Sequence, residues 1–165
     1  MNRFQVRKVA VLGAGVMGAQ IAAHLVNVKV PVLLFDLPEN KAPTLPASRG
    51  SLPPEGAGLA LGRPGAGTGP KNGIVTRAIE GLKKLRPSPL GVAEDAALIQ
   101  PANYEEDMAQ LKDCDLIIEA IAERMDWKLD LYHKIAPFVA PHTIVASNTS
   151  GLSITKLSEA LPEEI

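Results

Sequence analysis

Three glycines decide what the first part of this chain can become. Gly13, Gly15 and Gly18 lie in the run Gly13-Ala14-Gly15-Val16-Met17-Gly18, spaced G-x-G-x-x-G. Before them, Arg7 to Leu12 (RKVAVL) is a short run rich in β-branched residues that ends at a glycine, as a buried strand does. After them, Met17 to Val28 places Ile21, Leu25 and Val28 at i, i+4 and i+7, the spacing of one helix face. Val30 to Asp36 (VPVLLFD) reads as a second strand, with Pro31 at its start, where a missing donor is tolerated. Strand, glycine turn, helix and strand within about thirty residues form a βαβ unit.

The remainder divides into two kinds of sequence. Half of the 14 Gly and 14 Pro residues fall between Pro38 and Pro70, a stretch without Ile, Val or any aromatic side chain. It shows neither a period of 2 nor of 3.6. It cannot bury enough surface to offset its ordering entropy, so residues 38–71 are expected to be a disordered insertion. Periodicity resumes at Asn72, a candidate N-cap. Ile74, Ala78, Ile79, Leu82 and Leu85 line a helix that stops before Pro87. Ala93 to Ala97 can add a helical turn, Leu98 to Gln100 a strand, and Tyr104 to Lys112 a short helix. Asp115 to Ile121 (DLIIEAI) reads as a buried strand. Arg124 to Val139 reads as a helix with Trp127, Leu131, Ile135 and Phe138 as its apolar stripe. Thr143 to Ala146 is a strand, and Ile154 to Leu161 a helix capped by Ser153. Strands alternating with helices predict an α/β fold, a parallel sheet covered on both faces.

Composition excludes several classes. With 165 residues the chain suits one domain. Seventeen Lys and Arg against eighteen Asp and Glu leave a net charge of −1, which argues against nucleic-acid binding by bulk charge. A single cysteine, Cys114, excludes a disulfide framework and a cysteine-rich metal site, and reads as a small core residue. No apolar run is long enough to span a membrane, and the N-terminus lacks a secretory pattern, so the chain reads as cytoplasmic. His24, His133 and His142 have no partner spacing that suggests a metal, so no metal site is expected.

Four clusters remain as candidate chemistry. In the glycine run, Gly13 permits a tight turn, Gly15 lets backbone approach a pyrophosphate, and Gly18 allows close helix–strand packing. The start of the helix, including Val16 and Met17, presents free N–H groups and partial positive charge to phosphates. Asp36, at the end of the second strand, can accept hydrogen bonds from both ribose hydroxyls of an adenosine. It would repel a 2′-phosphate, favouring NAD over NADP, although flavin enzymes use a similar fingerprint. Glu123 and Lys128 follow the carboxyl end of DLIIEAI, where ligands of open α/β sheets sit; they serve equally well as a cap and a solvated lysine. Ser147-Asn148-Thr149-Ser150 follows the next strand. Its amide and hydroxyls suit nicotinamide, ribose or substrate oxygens, and suit turn chemistry at least as well. Lys83 and Lys84 form a basic pair on a helix.

Taken together, VAVLGAGVMGAQIAAHL, LLFDL, DCDLIIEAIAERMDWK and TIVASNTSGLSIT closely resemble the NAD-binding domain of bacterial 3-hydroxyacyl-CoA dehydrogenases of fatty-acid β-oxidation. The resemblance implies a Rossmann-type doubly wound sheet of strand order 3-2-1-4-5, incomplete at its last strand. It implies NAD-dependent oxidation of (S)-3-hydroxyacyl-CoA to 3-oxoacyl-CoA, an acyl-CoA substrate, and no nucleic-acid or membrane partner. By position, Gly13, Gly15 and Gly18 would hold the pyrophosphate and Asp36 the ribose, while Glu123 and Lys128 would line the nicotinamide side. Ser150 would touch cofactor and substrate oxygen, with Asn148 beside it, and Lys84 falls near a lysine that meets coenzyme A phosphates. The family places its catalytic histidine on a strand beyond Ile165, followed by a helical domain through which it dimerises. The chain is therefore expected to be truncated before that base and inactive alone. The alternatives are a non-catalytic NAD-binding module and a related dehydrogenase acting on hydroxy acids or sugar acids.

Overall fold

The computed structural model describes residues 5–39 and 71–163. The bulk of the Gly/Pro-rich segment, with its expected disorder, lies outside the described residues. Five strands form one parallel sheet: β1 (Val9–Leu12), β2 (Val32–Asp36), β3 (Ile99–Asn103), β4 (Leu116–Glu119) and β5 (Ile144–Ser147). Their order is β3-β2-β1-β4-β5, as the resemblance implies. β1 is central, pairing Val9 with Val32 on one side and with Leu116 on the other. The chain runs outward from β1 to β3, then returns across β1 to β4 and β5. The strand order thus reverses at β1, beside which open sheets of this kind hold their ligands.

The strand side chains alternate between two cores. Val9, Val11, Val32 and Leu34 pack against α1 (Val16–Asn27) and α2 (Gly73–Lys84) through Ala22, Ala23, Val26, Val75, Ile79 and Leu82. Ala10, Leu12, Leu33, Phe35 and Ile117 face α3 (Met125–Ile135) and α4 (Ile154–Ser158) through Leu131, Tyr132, Ile135 and Leu157. Apolar runs without polar alternation, such as VAVL and VLLF, follow from burial on both faces. The small α1 residues Ala19, Ala22 and Ala23 bring that helix close to the sheet.

Several boundaries differ from expectation, each for a physical reason. β3 extends to Asn103 through Pro101. It pairs with β2 alone, so a residue lacking an N–H is tolerated at this edge. The helix expected from Tyr104 is only a 3-10 turn over Met108–Asp113. Asn103 Oδ1 accepts the N–H groups of Glu105 and Glu106, and Asp107 takes the N–H of Asn103, so side chains supply the turn instead. Asn72 does not cap α2: its side chain accepts a bond from Asn103 Nδ2 at 2.8 Å. α3 ends at Ile135, ahead of a 3-10 turn holding Pro137. Its buried residues are Lys128, Leu131, Tyr132 and Ile135: the expected Leu131 and Ile135 are kept, while Lys128 takes the place expected of Trp127. Trp127 is only partly buried and lies beneath the Arg124 guanidinium, 4.8 Å from its ring centre. Ser153 caps α4 as expected, accepting from Lys156 N.

The segment that leaves β2 and the one that enters α2 meet. Glu39 N donates to Lys71 O at 3.3 Å, and Arg77 pairs with Glu39. Residues 39 and 71 are therefore adjacent in space at the foot of the Gly/Pro-rich stretch.

Ile117 is fully buried between the sheet and α3, whereas Ile144 on the β5 edge is 49% exposed. Ile117→Ala is expected to cost about 2–5 kcal/mol. Ile144→Ala should cost less than about 1 kcal/mol. Urea unfolding of the two variants checks the contrast.

Candidate functional site

The carboxyl ends of β1, β2, β4 and β5 carry nearly every polar residue singled out by the sequence. At β1, Gly13 turns the chain with φ +108°, in the left-handed region that a side chain disfavours. A Cβ there would lie 2.8 Å from Ala120 O, so the turn after β4 also approaches too closely for a side chain. At Gly18 a Cβ would stand 1.8 Å from Gly13 O. The first turn of α1 therefore sits directly on the loop that precedes it. Gly15 meets nothing within 4 Å in the Cβ direction, so its backbone faces open space. Ala19 makes the first backbone bond back into the loop, to Gly15 O at 2.9 Å. The N–H groups before it belong to the unpaired helix start. Val16 and Met17 are 75% and 54% exposed at the mouth of the loop. An open, amide-lined bend flanked by bare apolar side chains fits a dinucleotide diphosphate and its neighbouring rings.

Asp36 closes the other side of the loop. Its Oδ2 accepts from Ala14 N and its Oδ1 from Leu37 N, both at 2.7 Å. Burial pushes this carboxyl above its ordinary pKa, and the two N–H groups pull it partly back. The carboxylate is thus fixed beside the glycine turn.

Beyond β4 and β5 a second cluster forms. Glu123 Oε1 accepts from the Thr149 hydroxyl, from Ser150 N at 3.1 Å and from Gly151 N at 3.0 Å. These bonds, with Lys128 nearby, hold the Glu123 carboxyl down to about 2. Asn148 N donates to Glu119 O at 2.7 Å, tying the same loop to the end of β4. Asn148 and Ser150 are exposed.

Two expected site residues are placed elsewhere. Lys128 does not face the crevice: its side chain is fully buried, and Nζ lies 2.7 Å from both carboxylate oxygens of Glu119. The i, i+3, i+4, i+7 spacing of Lys128, Leu131, Tyr132 and Ile135 carries this signal, because a cation on a buried stripe requires a buried anion. Glu119, inside the apolar strand LIIE, is that anion. Lys84 lies at the end of a 12-residue helix that starts beside Asn103 at the crevice edge. It is therefore about 18 Å along α2 from that edge. Asn27, at the far end of α1, bonds Pro89 O and Gly91 N just after α2, which places this end at the opposite side of the sheet.

The histidines are also dispersed. His24 is on α1 and His133 is exposed on α3, while His142 lies 4.0 Å from Asp115 at the opposite end of the strands. Cys114 is buried, and burial pushes its thiol up to about 11, which suits a core residue rather than a nucleophile. Among the described residues no helix is long and apolar enough to cross a membrane. The same residues contain no group of three or more His, Cys, Asp or Glu arranged to hold a metal.

A parallel sheet that reverses order beside a G-x-G-x-x-G turn, with a carboxylate at the neighbouring strand end, defines a Rossmann-type dinucleotide-binding domain. The chain belongs to the family described as 3-hydroxyacyl-CoA dehydrogenase, NAD binding domain, whose model matches residues 8–49 and 72–164. Its cofactor is accordingly NAD. The chain is 35% identical over 161 residues to a putative fatty acid oxidation complex trifunctional enzyme of Rickettsia felis, covering 98% of this chain and 19% of that protein. It is 33% identical over 160 residues to a probable 3-hydroxyacyl-CoA dehydrogenase of Deinococcus radiodurans, covering 97% and 39% respectively. The solved 3-hydroxybutyryl-CoA dehydrogenase of Escherichia coli K12 superposes with a TM-score of 0.66 at 26% identity, over 97% of this chain and 28% of that one.

Two measurements probe the site. Asp36→Asn keeps the volume but removes the charge. It should weaken NAD about tenfold, the value of one charge-assisted hydrogen bond, and narrow the preference over NADP, as read by calorimetry with both nucleotides. Glu123 binds its proton more weakly in the folded chain than in the unfolded one. Its contribution is therefore complete above pH 4.5 and erodes as the pH falls from 4.5 to about 2. Amide protection of Ser150 and Gly151 should fall across that window, and Glu123→Gln should abolish the dependence.

Proposed function

We propose that this chain is the NAD-holding part of an oxidoreductase that converts (S)-3-hydroxyacyl-CoA to 3-oxoacyl-CoA in fatty-acid β-oxidation. The observation that carries the reading is the gathering of three clusters at one edge of the sheet. They are the Gly13–Gly18 turn, the Asp36 carboxylate, and the 148–151 segment held by Glu123.

Bound NAD supplies the hydride acceptor. The turn, with Gly13, Gly15, Val16, Met17 and Gly18, holds the diphosphate through backbone N–H groups. Asp36 accepts from the adenosine ribose hydroxyls and disfavours a 2′-phosphate. Glu123 orders the 148–151 segment so that Asn148 and the Ser150 hydroxyl face the nicotinamide side, where Ser150 also meets the substrate oxygen.

A specific observation favours a second reading, in which the segment by itself is a non-catalytic NAD-binding module. All three histidines lie away from the crevice. No imidazole of this chain is placed to take the hydroxyl proton, a contribution commonly worth about 10²–10⁴-fold.

The chain should therefore bind NAD but reduce acetoacetyl-CoA with NADH at least about a hundredfold more slowly than an enzyme with its general base. Following NADH absorbance checks this. Turnover at ordinary enzyme rates would show that the base is supplied by another residue of this chain. NAD binding without any response to acetoacetyl-CoA supports the module reading.

A further inference from the structure

Glu119 and Lys128 form an ion pair with no exposed side-chain surface on either partner. Such a pair is not by default a stabilising device, since well-packed apolar residues of similar volume often serve as well. This one is not closed on itself. Glu119 Oε1 also accepts the N–H of Ile121 at 2.7 Å, and Oε2 accepts the Ser147 hydroxyl at 2.5 Å. Lys128 Nζ stands 3.7 Å from Glu123 Oε2, on the carboxylate whose other oxygen gathers Thr149, Ser150 and Gly151. One buried carboxylate therefore joins the turn after β4, the end of β5 and the first turn of α3. Through Lys128 it also reaches the loop that carries Ser150. The hydrogen bonds of this network run to residue 151, and none of them reaches Gly13–Gly18 or Asp36.

We propose that Glu119 is a positioning residue for the nicotinamide half of the site. It fixes Lys128, Lys128 fixes Glu123, and Glu123 sets the 149–151 segment, while the adenosine half meets the same network only where Ala120 and Ile121 pack on Gly13. The inference rests on the reading of this edge as the NAD site. It gives Lys128 the part of linking Glu119 to Glu123. A network confined to one half of the ligand site makes a prediction that a merely structural ion pair does not: ligands reaching both halves should be affected differently from ligands reaching one.

The test compares NAD with ADP-ribose, which lacks the nicotinamide, by calorimetry on the full chain. Glu119→Gln/Lys128→Met removes both charges together and leaves neither buried alone. The double variant should bind ADP-ribose as the unaltered chain does. It should bind NAD about tenfold more weakly, the loss expected for one ordered charge-assisted contact. Amide protection of Ser150 and Gly151 should fall in the same variant. Ser147→Ala, which keeps both charges and so retains the folded pair, should shift NAD in the same direction by about threefold with ADP-ribose unchanged. Equal weakening of both ligands, or no change in either, would overturn the positioning role. An unaltered chain that fails to bind NAD at all would instead defeat the reading of the site, so the two failures are distinguishable.

Discussion

The contact between Gly18 and the carbonyl of Gly13 is the constraint on which the rest of the molecule depends. It seats the first turn of α1 on the end of β1, with no room for a methyl group between them. That seating fixes the direction of α1, and α1 in turn covers one face of β1 and β2 through Ala22, Ala23 and Val26. It also aims the unpaired N–H groups of the helix start at the space in front of Gly15. One steric condition thus serves packing and ligand binding together.

The two halves of the crevice are held by different physics. At the glycine turn, the order comes from backbone geometry: a left-handed glycine, a helix start, and Asp36 bonded to Ala14 and Leu37. On the opposite side it comes from side-chain charge. Glu119, Lys128 and Glu123 form a graded series from fully buried to half exposed, and the loop bearing Ser150 hangs from its exposed end. Backbone geometry changes little with pH, whereas a carboxylate gathering three donors is a titratable hinge.

How much could be read in advance varied with the range of the interactions involved. The glycine turn, Asp36 and the cap at Ser153 are local, and their residues announce them. The extent of β3 was underestimated because Pro101 argues against a strand unless the strand is known to lie at an edge. In α3 Leu131 and Ile135 are buried as their spacing indicates, but Trp127, the larger apolar residue, is only partly so. Lys128 nevertheless takes the buried position, its charge offset by Glu119 across the β4–α3 turn. Lys84 is associated with the site by the family resemblance alone, and the length of α2 sets it about 18 Å from the crevice edge.

The sequence by itself determined the βαβ unit, the two-faced apolar strands and the chemistry of the glycine bend, because each depends on residues within one or two turns of one another. Tertiary structure alone decided which charged side chains meet solvent and which are buried. Glu119 lies in an apolar strand and Lys128 at the spacing of the α3 buried stripe, but that the two meet follows only from the sheet and α3 closing over them. Their pairing arises from the packing of two elements, and in a low-dielectric interior an ion without its counterpart would cost several kcal/mol.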